Sequence, residues 1–285
     1  YRSGDLVMTS YGLPPEQFAK LQKELPGEVY ITRTLATYSY ELNNKKAPFD
    51  NVNIRKALNL SLDRNVITDK VLGQGQTPTY VFTPTYIEEG HLIQQPAYSK
   101  EPMAQRNEEA IKLLEEAGYS KANPLKFSIL YNTNENHKKV AIAAASMWKA
   151  NTKGLIDVKL ENQEWKTYID SRRAGRYDAA RAGWNADYNQ ATTFGNYFLS
   201  NSSNNTAKYA NPEYDKAIAE SYVATDAEGR AKAYAKAEEI LAKDFGIVPI
   251  FNYVNPRLVK PYVKGYSGKD PQDHIYLRNL YIIKH

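Results

Sequence analysis

Between Leu125 and Gly183 the apolar positions switch back and forth between two spacings. Residues 125–131, 155–160 and 177–183 follow the period of two of a strand. Residues 136–150 and 165–174 follow the 3.6 of a helix, and Gly175 stops the second. A strand–helix–strand–helix–strand series predicts right-handed crossovers, a parallel sheet and an α/β fold. Ligands of such sheets sit outside the carboxyl ends of the strands. Tyr131, Asn132 and residues 181–187 lie at those ends.

On the N-terminal side, residues 14–25 place Phe18, Leu21 and Leu25 on one helical face. Residues 28–42 are a long β run rich in Tyr, Thr, Val and Ile. Residues 51–72 have helical spacing through Ile54, Ala57, Leu58 and Leu62, with a restart at Asp63 and a stop at Gly73. Residues 74–102 carry Pro78, Pro84, Pro96 and Pro102 and no period, which predicts a long loop packed over a surface or functional. An amphipathic helix follows over 104–118. Beyond the alternating block come a Ser/Asn loop at 199–206, helices capped by Asn211 and Asp226, and a β run over 247–254.

Composition narrows the function. The 285 residues are 42% hydrophobic and 24% charged, enough for one large or two smaller cores. The net charge of +5 is spread along the chain without a basic cluster, so nucleic acid is not an expected partner. No apolar stretch reaches the ~18 residues of a membrane span, and no signal peptide is evident. The absence of cysteine excludes disulfides, thiol catalysis and Cys-ligated metals. His91, His137, His274 and His285 have no metal-ligand spacing, and no phosphate-binding glycine loop or serine elbow occurs, so no metal, cofactor or catalytic centre is expected.

The richest chemistry lies in residues 176–189, RYDAARAGWNADYN. A strand end delivers Arg181, Trp184, Asp187 and Tyr188. The arginine fork grips a carboxylate through two hydrogen bonds, and an aspartate can face an ammonium group. A ligand with both ends is a short peptide. The same residues also allow a plainer arrangement, in which Arg181 pairs with Asp187 and Trp184 belongs to the core. Asp170, Asp178 and Asp187 could be imagined as a glycosidase pair, but nothing supplies a matched second acid.

RAGWNADYN, NQEWKTYIDSR (162–172), LYNTNENHKK (130–139) and RLVKPYVKGYSGKDP (257–271) resemble the periplasmic oligopeptide-binding proteins of bacterial ABC peptide importers. The related murein-peptide binders look similar. The resemblance runs the whole chain and covers about the C-terminal half of that family. It implies a type II periplasmic-binding-protein fold. Residues 36–245 would be one complete α/β lobe, and 1–35 with 246–285 segments of a sheet-rich first lobe. The rest of that lobe would lie in an N-terminal portion outside this chain, and crossings near Ala36 and Phe245 would form the hinge.

The resemblance assigns Asp187 to the peptide ammonium, Arg181 to the carboxylate of a short peptide and His137 to a longer one. Trp165 and Trp184 match walls of side-chain pockets and Arg172 a polar wall. Gly183 matches a segment where ligand main chain approaches closely. Leu72 stands where enterobacterial relatives have a lysine serving longer peptides, so affinity is expected to peak near three residues. Ala36 and Asn185 stand where those relatives have a disulfide. The implied function is a monomeric periplasmic solute-binding protein, not an enzyme. It closes around short peptides and delivers them to the membrane subunits of an ABC importer. Murein tripeptide, haem or glutathione are alternative ligands, and a cleft hydrolase or an adhesion-like surface protein the alternatives of another class.

Overall fold

The computed structural model describes residues 1–10 and 12–284, so His285 lies outside it. In chain order the elements are α1 (Pro15–Glu24), β1 (Val29–Leu42), α2 (Val52–Leu60), β2 (Thr77–Pro78) and α3 (Met103–Glu116). The alternating block follows as β3 (Leu125–Asn132), α4 (Glu135–Asn151), β4 (Ile156–Gln163), α5 (Trp165–Arg173) and β5 (Ala179–Asn185). Then come α6 (Thr192–Gly195), α7 (Pro212–Val223), α8 (Ala227–Lys243), β6 (Ile247–Leu258) and a small hairpin of β7 (Val263–Lys264) and β8 (Tyr281–Ile282).

Local chemistry accounts for the boundaries. Asn134 caps α4 by accepting from the backbone of Asn136 at 2.9 Å and His137 at 3.1 Å. Asn211 and Asp226 cap α7 and α8 in the same way. The restart after α2 is a π-helix over Val66–Leu72 that Gly73 closes with φ of 63°.

The sheet extends beyond the alternating block. Six strands form a mixed sheet in the order β2-β6-β1-β5-β3-β4. β3 is parallel to both β4 and β5, as the alternation predicts. β1, however, runs antiparallel to both β5 and β6, and β2 antiparallel to β6. Periodicity marks a strand but carries no information about a partner far along the chain.

Helices cover both faces of this sheet. Tyr38, Tyr40 and Leu42 of β1 join Leu58, Leu114 and Trp148 in the main core. Leu35 of β1 points to the other face, which packs on Phe194, Ile218 and Leu241. α5 covers Leu130 and Ala180 through Tyr168. A separate small cluster of Leu13, Phe18, Leu21 and Leu258 joins α1 to the far end of β6. The long 74–102 stretch is packed rather than free. Val81, Phe82, Ile87 and Ile93 are buried, and the Glu238 carboxylate accepts from Thr83 N at 3.1 Å and Thr83 Oγ1 at 2.7 Å.

Candidate functional site

The carboxyl ends of the parallel strands open into a groove of about 1050 Å³. Its floor is the end of β5, where Arg181, Gly183 and Asn185 share one face, beside Tyr38 of β1 and Phe251 and Tyr253 of β6. The first turn of α4 closes one side with Asn134, Asn136 and His137. The segment around Leu13 and the tail around Gln272 close the others, with Trp165 and Leu72 also in the lining.

Arg181 is the chemical centre. Its Nη2 donates to the Tyr253 hydroxyl at 2.6 Å, and its guanidinium carbon lies 5.2 Å from the centre of the Tyr38 ring. Tyr168 donates its hydroxyl to the Arg181 carbonyl, which ties α5 to β5. Burial opposes the charge of Arg181, yet the phenol oxygens of Tyr253, Tyr38 and Tyr168 outweigh it and raise its pKa. Among the described residues no carboxylate pairs with it, and two of the acids in the lining are engaged elsewhere. Lys139 holds Glu16 at 3.1 Å, and Arg257 holds Asp273 at 2.6 Å. An arginine set in a groove without its anion is a receptor for one.

His137 packs 5.5 Å from Tyr38, ring centre to ring centre, and its Nδ1 is buried without a partner. Burial first, and the charge of Arg181 second, push its pKa down to about 3. It is therefore neutral at physiological pH and can accept or donate one hydrogen bond to a ligand.

A family model describing bacterial extracellular solute-binding proteins, family 5 Middle, matches residues 1–206. The chain belongs to this family. It is 97% identical over all 285 residues to the periplasmic oligopeptide-binding protein OppA of Haemophilus influenzae, and 43% identical to the periplasmic murein peptide-binding protein MppA of Escherichia coli. It spans about half the length of these relatives, 53% and 52% respectively. The crystal structure of Haemophilus influenzae OppA in complex with RPPGFSPFR superposes with a TM-score of 0.92 at 96% identity, covering all of this chain and 55% of that one.

Within this family fold, four of the residues singled out from sequence share the groove: Arg181, His137, Trp165 and Gly183. Leu72 joins them as an apolar wall. Asp187 is exposed at the rim. It follows the lining residues Asn185 and Ala186, and its carbonyl accepts from Gln272 at 3.2 Å. The plainer arrangement, a pair between Arg181 and Asp187, is not formed among the described residues. Tyr188, 46% exposed, lies outside the lining.

Two placements differ from expectation. Trp184 and Arg181 point to opposite faces of β5, because three positions along a strand reverse the side. Trp184 packs edge-on against Tyr197 at 4.9 Å and donates Nε1–H to Thr193 Oγ1 at 3.1 Å. Arg172 is buried away from the groove and paired with Glu41 at 2.9 Å. Burial alone would lower its pKa, but the Glu41 carboxylate reverses the shift and holds it well above the usual value.

Sequence reading missed Tyr38, Phe251 and Tyr253, which support Arg181 and His137. A signal existed in the tyrosines of both long β runs, but nothing in the chain order says that those runs flank β5. The register also places Ala36 directly opposite Asn185, the pair of positions that the resemblance links by a disulfide.

Proposed function

We propose that this chain is the C-terminal part of a two-lobed periplasmic binding protein that captures peptides and presents them to an ABC importer. The observation that carries the reading is Arg181, an arginine without an anion at the floor of a groove built at the strand ends. The volume of about 1050 Å³ is large for a single amino acid and suits an extended peptide. Main-chain hydrogen bonds from such a groove bind peptides with little regard to side chain. The names of the relatives support binding rather than catalysis.

Asp187 takes the ammonium end once an opposing wall dries the site, Arg181 takes a carboxylate, and His137 adds one neutral hydrogen bond. Trp165 forms an apolar wall. The ligand bound to the Haemophilus relative, RPPGFSPFR, favours peptides longer than the three residues expected from Leu72. A murein peptide, the ligand class in the name of the Escherichia coli relative, offers the same ammonium and carboxylate chemistry.

On this reading residues 36–245, joined by residues 247–251 of β6 that pack in the two larger cores, make up the second lobe, and 1–35 with the remainder of the C-terminal segment belong to the first. The cluster of Leu13, Phe18, Leu21 and Leu258, separate from both larger cores, supports this division. The β1–β6 register is interrupted between Arg33 and Thr37, opposite Asn252–Val254, which supports a hinge at that break rather than at Phe245. Mass spectrometry of small molecules that co-purify with the full-length protein is the direct test. Peptides are expected. A different solute, or turnover of a peptide in a hydrolysis assay, would overturn the proposal.

A further inference from the structure

An arginine side chain is long and loses considerable rotamer freedom when it grips a ligand. A fork held in place beforehand incurs less of that cost. Three contacts hold Arg181. The Tyr253 hydroxyl accepts from Nη2 at 2.6 Å, and the Tyr38 ring lies under the guanidinium at 5.2 Å. The third is an absence of atoms. A Cβ on Gly183 would stand 2.9 Å from Arg181 Nη2, 3.5 Å from its Cζ and 3.2 Å from the Tyr253 hydroxyl. The bare Cα of Gly183 is therefore the space that the arginine–tyrosine pair occupies. This is a different reason for glycine from the approach of a ligand main chain.

We infer that Tyr253 and Gly183 are positioning residues that aim the Arg181 fork and so set the preference of the groove for ligands ending in a carboxylate. The inference rests on the peptide-binding reading above. Tyr253 takes up one Nη2 hydrogen and leaves the second, together with Nε, which is buried without a partner among the described residues. The aromatic neighbours keep the phenol itself in place: Tyr253 lies 5.2 Å from Phe251 and 5.9 Å from Tyr38. Tyr253→Phe keeps those ring contacts and removes only the acceptor. Gly183→Ala is sterically admissible for the backbone, whose φ is not in the left-handed region, and the atom it meets first is the far end of a flexible side chain. The fork can swing away at little cost to the fold, but it then leaves Tyr253.

The test measures two ligands against three proteins. Trialanine and its C-terminal amide are titrated by calorimetry into the full-length protein, Tyr253→Phe and Gly183→Ala, with melting midpoints recorded for each. The wild type is expected to prefer the free acid by about tenfold or more, as loss of a charge-assisted bidentate contact implies. Both variants are expected to lose most of that preference, with the loss falling on the acid far more than on the amide, and to melt at the same midpoint. A merely structural role would weaken both ligands alike and lower the midpoint. Undiminished acid preference in both variants overturns the inference and leaves the peptide reading standing. A wild type that binds acid and amide equally removes the role of Arg181 and the inference with it. A wild type that binds neither of these nor the longer peptide RPPGFSPFR refutes the peptide reading itself.

Discussion

Replacing Arg172 by leucine is expected to unfold the protein more readily rather than to reshape its groove. Glu41 is fully buried in β1, and its carboxylate accepts from Arg172 Nη2 at 2.9 Å, from Tyr197 at 2.7 Å and from the Thr206 hydroxyl. Arg172 is nearly as buried, so no solvent screens the pair. Removing one partner of a buried pair costs roughly 3–5 kcal/mol, because the other charge is left bare. The Tyr197 and Thr206 donors survive, which places Arg172→Leu near the lower end, about 3 kcal/mol. Unfolding entropy of about 2.1 cal/mol/K per residue gives ~0.6 kcal/mol/K for 285 residues, hence a melting point lower by about 5 °C. Urea titration and calorimetry both read this. The double variant Glu41→Leu with Arg172→Leu should recover part of the loss, since it removes the bare charge but strips the buried Tyr197 and Thr206 hydroxyls of their acceptor. A loss below about 1 kcal/mol, with peptide affinity reduced instead, would refute the argument and return Arg172 to the wall of the site.

The remaining predictions concern the groove and the sheet beside it. His137 has its folded pKa pushed from 6.5 to about 3, so the folded chain holds it neutral while the unfolded chain takes up a proton. Stability should be complete above the unfolded pKa and fall as the pH drops from 6.5 toward 3, by up to ~1.4 kcal/mol per pH unit, less for the part of the ring that meets solvent. His137→Gln should flatten that slope in urea midpoints, and an unchanged slope would place the acid sensitivity elsewhere. Asp187→Ala in the full-length protein should weaken free-amine peptides by roughly 2–5 kcal/mol and spare N-acetylated ones. Equal effects on both would remove Asp187 from the ammonium site. In the 285-residue chain alone Asp187 stays solvated, and affinity should fall at least about a hundredfold, which a parallel titration checks. The paired variant Ala36→Cys with Asn185→Cys should oxidise spontaneously and add about 2–4 kcal/mol, read by thiol titration and melting. Thiols that stay free in air would mean the strands are splayed at that pair.

Much of this protein is written locally in its sequence. The alternation from Leu125 to Gly183 depends on side-chain period, cap chemistry at Asn134 and the breaks at Gly73 and Gly175, all of which act within a few residues. The strand-end position of Arg181 follows from the same block, and with it the expectation of an anion receptor. Tertiary structure decided which neighbours make that arginine a site. Tyr253 is 72 residues away in the chain, and Glu41, which takes Arg172 out of the groove, is 131 residues from it. The opposite facing of Arg181 and Trp184 was legible in the period of two, but which face holds the groove was not. It depends on β1 and β6 lying beside β5 in antiparallel register. The physical reason is one of range. Backbone sterics and capping bonds are set by adjacent residues, whereas strand partners, ion pairs and the space over Gly183 are settled by packing between segments far apart in sequence.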